Sequence, residues 1–176
     1  MEVNSIVDRL VGERLGDGAW NCEAENGSVV SSIDTTINVL DGLLAVERTG
    51  IQTEGVREAR RTGEEFLLER NLFRRKSTGE VVDPQFLDFA FPYYWRYDVL
   101  RALDYFRLAG AEPDRRMGEA VEVVRSKQQP DGRWLLDRIH PGRVYFDIEG
   151  PVGTPSRWNT LRALRVLDWW DDAGGE

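Results

Sequence analysis

Residues 37–43 read Ile37-Asn38-Val39-Leu40-Asp41-Gly42-Leu43, and this pattern recurs without gaps 60 and 121 residues further along the chain. Each column keeps one residue type: large apolar, Asn or Asp, small β-branched, leucine, charged, small, and leucine again. Leucines spaced three residues apart lie on one stripe of a helix. Recurrence at a fixed period predicts a helical-repeat protein. The two later copies are Tyr97-Asp98-Val99-Leu100-Arg101-Ala102-Leu103 and Trp158-Asn159-Thr160-Leu161-Arg162-Ala163-Leu164.

A second helical pattern precedes each of these segments, so the chain reads as three helix–loop–helix units. The preceding helices are predicted at Val3–Glu13, Val56–Phe73 and Arg115–Gln128. Serines suited to helix N-caps, Ser32 and Ser156, stand shortly before two of the repeated segments. The fold class is therefore all-α, a single repeat domain over residues 1–176 with repeats at about 1–50, 51–110 and 111–172.

Long, turn-rich loops join the two helices of each unit, at Gly16–Ser31, Lys76–Pro92 and Gln129–Pro155. Because they share a position in every unit, they should emerge on one face of the array. Loops on a rigid scaffold carry functional residues more often than the scaffold does. We therefore expect a ligand site on this face.

Two of these loops open with an Asp-Gly-x-Trp motif, Asp17-Gly18-Ala19-Trp20 and Asp131-Gly132-Arg133-Trp134. Asp-Gly makes a tight turn, because glycine accepts a positive φ without steric cost. The tryptophan can then pack over the helix end and towards the adjacent unit. The motif is predicted to fasten one repeat to the next.

The Gln128-x-x-Asp131-Gly132-x-Trp134 pattern, in helical repeats of this size, resembles the repeat of squalene cyclases and protein prenyltransferases. Nearly the whole chain resembles small bacterial squalene-cyclase-like proteins, chiefly at residues 17–22, 35–40, 96–105 and 156–164. The resemblance implies an α/α toroid. A full ring of that superfamily has about six helical hairpins, so three hairpins imply a half ring or arc. We expect a homodimer, or a missing N-terminal half, to complete the ring.

The resemblance also implies where catalytic acids would lie. Terpene cyclases of this superfamily protonate their substrate with an Asp-x-Asp-Asp-Thr motif, and the matching stretch here is Ser31–Thr35. Ile33 stands where the proton-donating aspartate should be, which argues against a protonating cyclase of the usual type. Asp34 and Asp98 remain the carboxylate candidates. The alternative for Asp34 is a carboxylate that stabilises the positive end of a helix.

Prenyltransferases instead hold zinc with Asp, Cys and His. Cys22 and His140 are the only Cys and His of this chain, and Trp20 occupies the position of the aspartate ligand two residues before Cys22. Tryptophan cannot bind zinc. We predict no metal and no cofactor.

The densest aromatic run, at residues 89–97, is the best candidate for a pocket wall. Aromatic faces stabilise cations and shape apolar pockets, although a run this dense also serves core packing. Asn38, Asp98 and Asn159 occupy one repeated column, so they either ring a ligand or bond to nearby helix ends and loops. The predicted ligand-binding residues are Trp95, Tyr97, Tyr94, Trp158, Asn159, Asn38, Tyr145 and His140.

Composition excludes several classes of partner. The formal net charge is −8, which disfavours nucleic acid, anionic lipid and acidic polysaccharide. No apolar run is long enough for stable insertion into a membrane. The single cysteine and the absence of a signal-peptide pattern at the start lead us to expect a cytoplasmic protein.

Two functions remain open at this level. The first is a terpenoid-cyclase-like or prenyltransferase-like protein that binds an apolar small molecule of isoprenoid type in an aromatic pocket, with catalysis lost or retained. The second is a non-enzymatic helical-repeat module that binds a protein or lipid partner. A deep cavity with paired acids would favour the first, and an open concave surface the second.

Overall fold

The computed structural model describes residues 3–51 and 53–174, and within them the chain is predominantly helical, as the sequence predicted. None of the described helices is both long and apolar enough to cross a membrane. The α-helices are α1 Val3–Gly12, α2 Ile33–Arg48, α3 Glu54–Leu68, α4 Val99–Leu108, α5 Gly118–Ser126 and α6 Arg157–Asp172. Short 3₁₀ turns lie at Ala24–Asn26, Pro84–Leu87 and Arg115–Met117, and strands β1 Trp134–Leu135 and β2 Pro155–Ser156 pair antiparallel.

The chain divides into two compact units, Met1–Glu69 (unit 1) and Arg70–Glu176 (unit 2). In unit 1, α3 packs against α1 and α2. In unit 2, α4 packs against α5 and α6, and the two short strands lie against α6. Each unit therefore has its own apolar core.

The second helix of each predicted repeat begins at a side-chain cap. Ser32 caps α2, Asp98 caps α4 and Ser156 caps α6, and each side chain accepts a hydrogen bond from the backbone N–H three residues further on. Ser, Asp and Asn are preferred there because they satisfy one of the open N–H groups of the first turn. The two predicted serine caps are confirmed.

The position of Asp98 corrects the repeat alignment. Tyr97 and Asp98 were predicted inside a helix, but α4 begins only at Val99. Counted from the caps, Asn38 lies six residues in, Asp98 is the cap itself, and Asn159 lies three residues in. The three residues are therefore not structurally equivalent. Leucines recur about one turn apart in these helices. The sequence alignment therefore matched leucines that lie at different distances from the helix start.

Helix α3 ends earlier than the predicted Phe73. Its last residue is Leu68, and shortly afterwards Asn71 and Leu72 have φ of 44° and 69°. Two successive left-handed residues stop a right-handed helix. The stretch contains no glycine or proline that would have announced this end.

The two Asp-Gly-x-Trp motifs build the same structure. The indole Nε1 of Trp20 donates to the carbonyl oxygen of Leu10 at 2.6 Å, and that of Trp134 donates to Val124 at 2.7 Å. In both cases the acceptor lies ten residues earlier, in the last turn of the preceding helix, where the i→i−4 hydrogen bonds of the helix end. The motif thus ties α1 and α5 to the turn that follows each.

A threonine continues this pattern into the next helix. The backbone N–H of Trp20 donates to Thr36 Oγ1 at 3.4 Å, and that of Trp134 to Thr160 Oγ1 at 3.0 Å. Both threonines lie four residues after the capping serine. The α1–α2 and α5–α6 hairpins therefore share one register, with a fixed correspondence between α2 and α6.

Trp20 also fastens its hairpin to the next helix, as predicted, by lying against Gly63 of α3. A Cβ atom on Gly63 would lie 2.6 Å from Trp20 Cζ3 and 3.0 Å from Leu40 Cδ2. Real contacts are longer, so only glycine allows this close approach of α3 to α2.

We expect Gly63→Ala to lower the free energy of unfolding by about 1–2 kcal/mol, because overpacking outweighs the gain in helix propensity. The matched control is Gly42→Ala in α2, where an added Cβ meets nothing within 4 Å. That variant should be more stable by about 1 kcal/mol. Urea denaturation of both variants measures the difference, and equal stabilisation by the two substitutions would contradict the contact.

Candidate functional site

The predicted site residues of unit 2 are divided between different places within that unit. Unit 2 contains an ionic cluster, defined as Asp98, Arg101, Asp104 and Arg162 around the ring of Tyr93. It also contains a separate apolar pocket between residues 91–94 and 139–149. Asp34 and Asn38 belong to unit 1.

Arg162 is the centre of the ionic cluster. Its Nη2 lies 3.9 Å from Asp98 Oδ1, and its Nε lies 3.6 Å from Asp104 Oδ2. Only 7% of its side chain is exposed, and all three guanidinium nitrogens are buried without a hydrogen-bond partner in the described chain. Desolvation of this cation is therefore offset by charge rather than by hydrogen bonds.

The ring of Tyr93 supplies further stabilisation. The guanidinium carbon of Arg101 lies 4.5 Å from the ring centroid, and that of Arg162 lies 4.8 Å from it. A cation within about 6 Å of an aromatic face is attracted to the ring quadrupole. Tyr93 therefore helps to hold two buried cations of unit 2.

Asp98 is held by this cluster rather than directed at a substrate. Burial raises the pKa of Asp98, while Arg162 and the backbone N–H groups of Arg101 and Ala90 act in the opposite direction. Its Oδ1 accepts the capping hydrogen bond from the N–H of Arg101 at 2.7 Å. Asp98 is not among the residues that line the pocket. In the structure Asp98 caps α4 and lies 3.9 Å from the guanidinium of Arg162.

Asp34 lies in the first turn of α2, where a carboxylate stabilises the positive end of the helix. Its backbone oxygen accepts a hydrogen bond from Asn38 Nδ2 at 2.6 Å. Ile33, which precedes Asp34, is part of the buried core. The contacts match the alternative that the sequence left open for Asp34.

Asn159 is buried and bridges two backbone segments. Its Nδ2 donates to the carbonyl oxygens of Phe89 and Leu135, both at 3.1 Å. These bonds tie α6 to the loop before α4 and to β1. Together with the intrahelical bond of Asn38, they agree with the structural alternative for the polar column.

The pocket in unit 2 has a volume of about 80 Å³. Small-molecule pockets usually measure about 300–1,000 Å³, so only one group of a larger ligand fits inside. Two predicted ligand residues, Tyr94 and His140, line it. The remaining lining residues are Phe91, Pro92, Ile139, Gly142, Val144, Phe146, Asp147, Ile148 and Glu149.

Tyr94 reaches the pocket through an uncommon backbone conformation. Its φ is 50°, in the left-handed region that bulky residues rarely adopt. Such a conformation costs about 1–3 kcal/mol and is concentrated at binding and active sites. This local strain is a second reason, besides the apolar lining, to regard the pocket as the candidate site.

The charged side chains that line the pocket are acidic. The lining includes the carboxylates of Asp147 and Glu149, and no lysine or arginine. Glu149 Oε1 accepts hydrogen bonds from Ser156 Oγ at 3.0 Å and from the N–H of Trp158 at 3.1 Å, so it also orders the start of α6. An anionic ligand group would therefore be repelled.

The other predicted aromatic residues lie elsewhere. Tyr97 is buried, and its hydroxyl donates to the carbonyl oxygen of Leu72 at 2.6 Å. Trp95 is exposed and carries the guanidinium of Arg96 over its ring at 3.8 Å. Tyr145 is 92% exposed and outside the pocket lining. None of these three residues lines this pocket, because neighbouring side chains in a loop point in different directions.

Trp158 contributes indirectly. Its ring stacks on that of Phe91, with centroids 5.0 Å apart and an interplanar angle of 18°. Phe91 lines the pocket, so Trp158 supports one wall without being part of it.

The sequence did not single out Phe146 or Arg162. The sequence grouped Phe146 with Tyr145 and Trp158 as a possible pocket wall without placing it among the predicted ligand-binding residues, and nothing local distinguishes it from Tyr145. Arg162 belongs to the row of buried residues along α6. A positively charged residue in an otherwise apolar row is the sequence signal that would have indicated a buried ion pair.

Across residues 3–51 and 53–174, no group of three or more His, Cys, Asp or Glu side chains is placed to hold a metal ion. Cys22 is exposed and forms no disulfide. No protein-family model, curated protein or solved structure matches the chain.

Proposed function

We propose that this protein is a binding protein of the α/α-toroid kind, which holds one apolar group of a neutral isoprenoid-type ligand in the unit 2 pocket without transforming it. The observation that carries the proposal is the pocket itself, with its predominantly apolar and aromatic lining. The repeated hairpins and their shared Asp-Gly-x-Trp motif support the toroid assignment.

The small volume indicates how much of the ligand enters. A space of about 80 Å³ takes the branched end of a chain and not a whole isoprenoid. Ile139, Val144 and Phe146 line the pocket and are also partly exposed to solvent, so they can contact the next part of the ligand. Burial of this apolar surface supplies the binding free energy.

The charges favour a neutral head group. Prenyl diphosphates need cations or helix N-termini around their phosphates, whereas this lining offers Asp147 and Glu149. The ligand is accordingly a prenyl alcohol or hydrocarbon rather than a diphosphate.

The positions of the acids favour binding without reaction. A cyclase must place a proton donor within reach of its substrate. Asp98 caps a helix beside Arg162, and Asp34 lies in unit 1, so neither lines the pocket.

Titration calorimetry with farnesol and farnesyl diphosphate tests the proposal. Farnesol should bind the wild type at least ~10-fold more tightly than the diphosphate, because the pocket carboxylates repel the phosphates. Phe146→Ala should weaken farnesol binding by ~10-fold, because a pocket wall is lost. Farnesol should be recovered unchanged after incubation.

The matched control is Tyr145→Ala, which removes the neighbouring aromatic side chain outside the pocket lining. It should leave the affinity for farnesol within about twofold. Tighter binding of the diphosphate, equal effects of the two substitutions, or no binding of farnesol would contradict the proposal.

A further inference from the structure

The solvent-facing side of α6 carries two exposed leucines. Leu161 is 37% exposed and Leu164 is 42% exposed. They lie three residues apart and therefore on one side of the helix. We call Leu161 and Leu164 the α6 face.

In unit 1, the equivalent side of α2 is buried. The shared register of the two hairpins makes Ile37 equivalent to Leu161, and Leu40 equivalent to Leu164, counted from the capping serines. Ile37 and Leu40 are fully buried in unit 1, where α3 packs on α2 and Gly63 lies against Leu40. The structure therefore contains an example of what covers such a face: the first helix of another hairpin.

Helix α1 also has an exposed side whose equivalent, on α5, is buried. The indole hydrogen bonds of the two hairpins make Leu10 equivalent to Val124, and hence Ile6 equivalent to Ala120. Ala120 is fully buried in unit 2, where α5 packs against α4 as well as α6, whereas Ile6 is 46% exposed. We call the side of α1 that carries Ile6 the α1 face.

We infer that the α1 face of one copy of this chain packs on the α6 face of a second copy, head to tail, as α3 packs on α2 and α5 packs on α4. Each uncovered face then receives the kind of helix that covers its equivalent within the chain. A heterologous contact of this type leaves one free face at each end of every pair, so association continues beyond two copies until a ring closes.

The charges of the two units are suited to this contact. Residues 1–69 contain 14 acidic and 6 basic side chains, a net charge of −8, whereas residues 70–176 contain 17 of each. Two exposed arginines, Arg157 and Arg165, and one exposed aspartate, Asp168, flank the α6 face, so its border is positive by one charge. An acidic unit 1 is therefore steered towards the arginines beside α6 and away from another unit 1.

Sedimentation velocity of two variants and their mixture tests the inference. The wild type should form species larger than a monomer as its concentration rises. Ile6→Glu removes only the α1 face, and Leu161→Glu removes only the α6 face, so each variant alone should be monomeric. An equimolar mixture should form a heterodimer of two copies and nothing larger, because one intact face of each kind remains.

The control is Val29→Glu, which adds the same charge at an exposed residue outside both faces and should associate like the wild type. Circular dichroism verifies the fold of each variant, and Leu164→Ser replaces Leu161→Glu should the latter lose helicity. A monomeric wild type up to about 1 mM, where even weak association is visible, would overturn the inference. The inference would equally be overturned if Ile6→Glu associated as the wild type does, or if the mixture of the two variants stayed monomeric. These readouts involve no ligand, so they are independent of the pocket.

Discussion

Trp134→Ala is expected to lower the free energy of unfolding by about 3–5 kcal/mol, because it opens a large cavity in the core of unit 2. The side chain is fully buried and lies where α5, β1 and the start of α6 come together. The substitution also removes the indole hydrogen bond to the carbonyl of Val124, which then keeps only the longer bond from the backbone N–H of Lys127 at 3.3 Å. Urea denaturation followed by circular dichroism measures the change.

Two further variants separate packing from hydrogen bonding. Trp134→Phe keeps most of the apolar volume and loses the indole N–H, so its loss should be smaller, at about 1–3 kcal/mol. Trp95→Ala removes an exposed tryptophan of the same unit and should change stability by no more than about 1 kcal/mol. Similar losses for Trp95→Ala and Trp134→Ala would contradict the anchoring role of the motif.

Asp98→Ala is expected to destabilise unit 2 by about 3–5 kcal/mol, because it leaves Arg162 as a buried cation without its neighbouring carboxylate. Loss of the cap of α4 contributes to this. Asp98→Asn should cost less, since asparagine caps a helix as well as aspartate does. The double variant Asp98→Asn with Arg162→Met should return to within about 1 kcal/mol of the wild type or exceed it, because no buried charge remains unpaired.

Comparison of the single and double variants gives the coupling energy between the two residues. Arg165→Met, an exposed arginine one turn further along α6, is the control for loss of a positive charge and should be nearly neutral. Additive losses at Asp98 and Arg162 would show that the pair does not interact.

The free energy of unfolding should depend on pH through Asp98. Burial raises the pKa of Asp98 in the folded state above its value in the unfolded chain. The folded state therefore binds this proton more tightly, and the associated stability is present at low pH and lost as the pH rises through the folded-state pKa. The stability of the wild type relative to Asp98→Asn should accordingly be greatest in acid and fall as the pH increases. A difference that does not change with pH would contradict the raised pKa.

The helices were predictable because their determinants are local. Apolar spacing indicated the six α-helices of the described residues, and Ser32 and Ser156 marked two helix starts correctly, since a cap and its N–H partner lie three residues apart. The end of α3 was not predictable. It depends on left-handed conformations at Asn71 and Leu72, which their side chains do not announce.

The candidate site was less predictable than the fold. The loop location was indicated, and Tyr94 and His140 do line the pocket. Which of two adjacent aromatic side chains points inward, as with Phe146 and Tyr145, depends on the path of a long loop with no periodicity. Sequence alone therefore selected the segment and only some of its pocket-lining residues.

The sequence by itself determined a predominantly helical chain, its acidic charge and the Asp-Gly-x-Trp turns, because these depend on composition and on residues close together in the chain. Only the tertiary structure decided that Asp98 caps α4 beside Arg162. It also decided that Trp20 packs directly against Gly63 and that the pocket is small. Those features depend on distances between residues far apart in sequence. Such distances are set by how the helices and loops pack, and no local pattern encodes them.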